Sequence, residues 1–151
     1  INSACFIFFS GVAVIFTLGS FISATISSRV KPLSGADASR MSAASAFGSA
    51  WSPHAELLCW VLMPDHWHGL VRLTGTETLA HVVGAAKGRS AHAVHGVMAG
   101  RRVWADGFHD RALRRDDDVL VAARYIIANP VRAGLVRRVG DYPYWDSIWL
   151  S

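Results

Sequence analysis

The stretch from Trp60 to Leu73 constrains the fold more than any other part of the chain. Leu57 to Met63 is nearly all apolar, and Cys59, Trp60 and Val61 suit a buried strand. Pro64 and Asp65 signal a tight turn. His66 to Leu73 then returns to strand composition. Side chains on a strand alternate, so His66 and His68 share one face while Trp67 points to the other and packs. Two imidazoles side by side on a rigid strand are a ready ligand pair for one divalent ion. The same spacing also occurs on strands that bind nothing, so the pair alone leaves both readings open.

A helix is expected downstream. Asp116, Asp117 and Asp118 suit the positive end of a helix, and one of them can be its N-cap. Val119, Ala122, Ala123, Ile126 and Ile127 then form an apolar stripe at helical spacing, with Tyr125 beside it. Asn129 follows Tyr125 by one turn on the same face. Pro130 either stops this helix or begins a second, short one running to Gly134.

Met63 to His68, following an apolar strand, resembles the HUH motif (histidine, bulky hydrophobe, histidine) of single-tyrosine transposases. The stretch from Ala123 to Val136 is similar to the wording around that family's tyrosine. The group resembled is the REP-associated tyrosine transposases, relatives of the insertion-sequence-200-like transposases, and the resemblance covers roughly Ala55 to Leu150. It implies an α+β fold of the ferredoxin-like HUH-endonuclease type, an antiparallel sheet covered by helices, with an atypical or incomplete N-terminal part. It implies cleavage and rejoining of single-stranded or hairpin DNA through a 5′-phosphotyrosine, with Tyr125 as nucleophile. It implies Mg2+ or Mn2+ on His66 and His68, and a cytoplasmic, nucleoid-associated protein, monomeric or homodimeric. Relatives often carry a polar third metal ligand one turn after the tyrosine, a position that Asn129 matches. Capping of a short helix at Pro130 is the competing role for Asn129. Taken without the resemblance, Tyr125 reads as an ordinary tyrosine at the edge of a core.

The charge balance agrees with an anionic partner. The chain has 151 residues, one domain's length, and a formal charge of +4. Its basic charge is nearly all arginine, the residue that suits bidentate phosphate contacts and stacking on bases. Lys87 and Arg89, then Arg101, Arg102, Arg114 and Arg115 around Trp104 and Phe108, are the expected DNA contacts. Trp104 itself reads as core. Two other functions stay open: a metal-dependent hydrolase using His66 and His68 without covalent catalysis, and a decayed, inactive transposase that only binds DNA. Cys5 and Cys59 give no disulfide framework, and Cys59 reads as packed.

Residues 1–28 carry no charge and are rich in Phe, Ile, Val, Ala and Gly. Three readings fit: a membrane segment held by Arg29 and Lys31, sequence foreign to the domain, or a buried core element. The expected division is therefore an apolar segment over 1–34 and the transposase-like domain over 35–151. Between these landmarks, Met41 to Trp51 reads as a short helix. Thr76 or Thr78 caps a helix with Leu79, Val82, Val83 and Ala86 on one face, and Ala91 to Met98 reads as a further helical stretch. Val103 to Phe108 and Arg111 to Arg114 read as short strands. The aromatics between Tyr142 and Trp149 read as a packed tail.

Overall fold

Two apolar strands joined by a turn need partners on both edges and cover on both faces, and the chain supplies each. The computed structural model describes residues 13–19, 46–47, 50–51, 55–64, 66–95, 103–113 and 117–149. Strand β2 (Ala55–Leu62) and strand β3 (His66–Leu73) form an antiparallel hairpin, with Val61 opposite His68 and Leu62 opposite Trp67. A register shift between Leu57 and Cys59 marks a bulge in β2. Strand β1 (Ala13–Gly19) lies on the other edge of β3, β4 (His109–Ala112) lies beyond β1, and β5 (Trp145–Ser147) pairs with β2. The order across the sheet is β4-β1-β3-β2-β5, and every pairing is antiparallel.

Each face of the hairpin is buried under its own layer, which is why β2 and β3 read as nearly continuous apolar runs rather than clean alternations. One layer is helix α1 (Leu79–Ala93) with Phe47 and Trp51. There Trp67, Val71 and Leu62 pack in one cluster with Val82, Val83, Ala86, Val103 and Trp104. Trp67 is fully buried, edge-on to Phe47 at 4.6 Å and stacked with Trp51 at 6.1 Å and Trp60 at 6.5 Å. The other layer is helix α2 (Asp117–Ile127). Val119, Ala122, Ala123 and Ile126 cluster there with Leu58, Cys59, Val61, Met63 and Leu70. A four-residue helix α3 (Asn129–Arg132) follows, with Pro130 in its first turn. It ends in a Schellman arrangement: Leu135 N–H donates to Pro130 C=O at 2.9 Å, Gly134 N–H to Val131 C=O at 3.0 Å, and Gly134 has φ +70°.

Several expectations change here. Of the segment 1–34 set apart by its composition, residues 13–19 are a strand between β3 and β4, so they belong to the sheet. Among the described residues no helix is long and apolar enough to cross a membrane. Val103–Phe108 is not a strand. Trp104 turns inward and donates its indole N–H to Ser90 Oγ at 2.9 Å, and the strand instead forms at His109–Ala112, where β1 offers an edge. Helix α1 is continuous to Ala93, because Gly84 and Gly88 fall at exposed positions where they leave no gap in the core. Of the C-terminal aromatics Tyr142, Tyr144 and Trp145 pack while Trp149 stays exposed, Trp145–Ser147 also adds a strand, and Tyr142 O–H ties the tail to Leu62 C=O at 2.6 Å.

Candidate metal and nucleophile site

The alternation of β3 decides where the histidines point. Trp67 and Val71 face α1, whereas Leu70 faces α2. His66 and His68 are in phase with Leu70, so they lie on the α2 face of the sheet. Both are half-buried, and their Nε2 atoms are 2.7 Å apart. One of the two therefore donates to the other, and which one carries the proton follows from tautomer assignment. Nitrogens bound to one ion at about 2.0–2.1 Å in adjacent positions stand roughly 3 Å apart, so the pair converges as a chelate does. An ion would need both Nε2 lone pairs, with the ring protons moved to Nδ1. Among the described residues no third His, Cys, Asp or Glu completes a cluster. Two imidazole donors favour a first-row transition ion over Mg2+, which prefers oxygen throughout.

Helix α2, which carries Tyr125, packs on this face. Its stripe from Val119 to Ile126 is buried against Val61 and Leu70, the neighbours of His68 across and along the sheet. Tyr125 precedes Ile126 on the helix and is 57% exposed, so its phenol is at the surface rather than in the core. Exposure is the first property a nucleophile for a large substrate requires, and it is equally what a tyrosine at the edge of a core shows.

Asn129 does not cap the helix that begins beside it. Helix α3 has no side-chain cap; the Asn129 amide instead donates back to Ile126 C=O at 3.1 Å, closing the end of α2. Its Oδ1 accepts from Arg132 Nη1 at 3.4 Å. The other arm of the same guanidinium donates to the Tyr125 hydroxyl at 2.7 Å, and its central carbon sits 3.8 Å from the centre of the Tyr125 ring. The turn between α2 and α3 thus gathers Tyr125, Asn129 and Arg132. Sequence reasoning missed Arg132, which lies seven residues beyond Tyr125, past the end of α2, and reaches it through its long side chain. It also missed Gly69: a Cβ there would run into the six-membered ring of Trp67.

The sequence-derived basic contacts divide in two. Lys87 Nζ donates to Ala105 C=O at 2.8 Å and Gly107 C=O at 2.6 Å, and Arg89 Nε donates to Ala50 C=O at 3.0 Å. Both long side chains thereby fasten α1 to neighbouring loops. Arg101, Arg102, Arg114 and Arg115 lie outside the described residues.

Comparison with known proteins gives this geometry its context. The family model described as "Transposase IS200 like" matches residues 23–129, a span that holds His66, His68, Tyr125 and Asn129. The chain belongs to the IS200-like transposase family. Among curated members, the REP-associated tyrosine transposase of Escherichia coli (strain K12) is 30% identical over 90 residues, covering 59% of this chain and 52% of that protein. The match thus spans about half the length of that relative. The fold is shared with a REP-associated tyrosine transposase solved bound to a REP hairpin, at a TM-score of 0.67 and 22% identity over 96% of this chain and 82% of the other. A candidate transposase of Deinococcus radiodurans R1 is similar at a TM-score of 0.51 and 16% identity, over 83% and 95% of the two chains. The antiparallel sheet with helices expected for an IS200-like transposase is therefore the fold observed.

Proposed function

We propose that this IS200-like transposase cleaves and rejoins single-stranded DNA by transesterification, with Tyr125 as the nucleophile. The observation that carries the reading is the placement of the exposed Tyr125 on the helix that packs over the histidine-bearing face of the sheet. The Tyr125 oxygen gives up its proton to solvent and attacks phosphorus, a bond to the 5′ phosphate forms, the bond from phosphorus to the 3′ oxygen breaks, and that oxygen leaves and takes up a proton. Attack by that 3′-hydroxyl on the phosphotyrosine reverses the step, so the phosphodiester is restored without a nucleotide cofactor. His66 and His68, with Asn129 Oδ1 as third donor, would hold Mn2+ or Mg2+. The ion's chemistry there is charge stabilisation at the phosphate oxygens. Arg101, Arg102, Arg114 and Arg115, together with Lys87 and Arg89, contact the DNA backbone in this reading. The DNA is a single strand or a hairpin, as in the solved relative bound to a REP hairpin.

Tyr125→Phe tests the proposal, since it removes one exposed oxygen and keeps the ring. Incubation with labelled hairpin DNA and Mn2+, followed by denaturing electrophoresis, should give a covalent protein–DNA band for the parent protein and none for the variant. A band with Phe at 125 would assign the nucleophile to another residue.

A further inference from the structure

Arg132 lies beyond the residues matched by the family model, which end at 129, yet it touches both side chains at the turn. We infer that Arg132 is a positioning residue of the transesterification, holding the Tyr125 oxygen in place and presenting a cationic donor where the attacked phosphate arrives. The inference rests on the reading of Tyr125 as the nucleophile.

Three contacts carry it. Nη2 donates to the Tyr125 oxygen at 2.7 Å, the guanidinium lies over the ring at 3.8 Å, and Nη1 reaches Asn129 Oδ1 at 3.4 Å. An exposed tyrosine otherwise samples several rotamers, and each must be given up before attack. Stacking fixes the ring plane and the hydrogen bond fixes the oxygen, so part of that ordering is already present before DNA binds. The guanidinium is planar, permanently charged and carries five donors, so it can keep one on the phenol and turn others to phosphate. When the Tyr125–phosphorus bond forms, the oxygen held by Nη2 becomes the bridging oxygen. The nonbridging oxygens then stand next to the same cation, where negative charge develops. Arg132 follows Tyr125 by two helical turns, and α-helical backbone bonds, Ala128 N–H to Arg124 C=O at 3.0 Å and Arg132 N–H to Ala128 C=O at 3.0 Å, carry the helical path across the junction, which keeps the two side chains on one side. Tyr125 is exposed, Asn129 is half-buried and neither belongs to a core cluster, so replacing Arg132 leaves the core untouched.

The experiment compares the parent chain with Arg132→Gln, Arg132→Lys and Tyr125→Phe, using labelled single-stranded hairpin DNA and Mn2+. Two quantities are read: the single-turnover rate of adduct formation at saturating DNA, and the DNA dissociation constant. Arg132→Gln should lower the saturated rate by about 100-fold and change the dissociation constant by less than about threefold. Arg132→Lys, which keeps the charge without the fork, should recover roughly a tenth of the parent rate. Circular dichroism should show equal folded content in all four proteins. An unchanged or raised rate in Arg132→Gln overturns the inference, as does a loss confined to the dissociation constant, which would make Arg132 a binding residue only. If the parent forms no adduct, or Tyr125→Phe still forms one, the nucleophile reading itself falls and takes the positioning role with it.

Discussion

The indole of Trp67 lies across the bare α-carbon of Gly69, two residues along on the same face of β3. A side chain at 69 cannot share that space, so the residue between the two histidines reaches Phe47, Trp51 and Trp60 only because glycine follows them. Trp67 anchors the strand from one side while His66 and His68 face the other.

Gly69→Ala should therefore destabilise the fold by about 2–3 kcal/mol, since the indole must leave its pocket or β3 must shift. Urea denaturation measures it as a lower midpoint at unchanged slope. The parent midpoint in the variant would mean that the ring relocates at no cost.

Replacing His66 or His68 with Ala should remove high-affinity Mn2+ binding and metal-dependent adduct formation together. Both imidazoles are half-buried and neither belongs to a core cluster, so the thermal midpoint should move little. Calorimetric titration with Mn2+ reads the first effect. Retention of parent affinity by both variants would separate the pair from the metal.

DNA affinity should fall steeply with salt. The logarithmic slope is about −0.7 per phosphate contacted on a single strand. Replacing Arg101, Arg102, Arg114 or Arg115 singly with Gln should each make the slope shallower by roughly that amount. A slope that none of the four alters would place the phosphate contacts elsewhere.

Burial pushes the Cys59 thiol up from 9.0 to about 12, against a smaller opposing effect of a hydrogen bond with the Leu70 backbone. The native state thus keeps a proton that the unfolded state gives up. Stability from this group is complete below pH 9 and is lost as pH rises from 9 towards about 12, at no more than about 1.4 kcal/mol per pH unit. Stability curves of the parent and Cys59→Ala should diverge in slope over that window. Cys59 should also resist iodoacetamide at pH 8 until the chain is unfolded, as peptide mapping would show.

What could be read from the sequence is what depends on local period. The shared face of His66 and His68 follows from alternation, and the buried stripe of α2 follows from helical spacing. Trp67 as a core residue was legible for the same reason. Residues 13–19 were not, because a strand inside a sheet and a segment inside a bilayer can both be continuous apolar runs without alternation. Strand β5 has three residues, too few for any period to appear, and owes its conformation to the open edge of β2. The contacts of Lys87 with Ala105 and Gly107, and of Arg132 with Tyr125, join groups that only the folded chain brings together.

The position of β1 has a consequence for how the chain is made. A ribosome delivers Phe16 long before Gly69, its neighbour on one side, and longer still before Asp110, its neighbour on the other. The hairpin of β2 and β3 can close as soon as it emerges, but the apolar strand that joins it to β4 must wait. During that wait its backbone edges are unpaired and open to other nascent chains. Yield on expression should therefore depend on holding chaperones more than the stability of the finished fold would suggest.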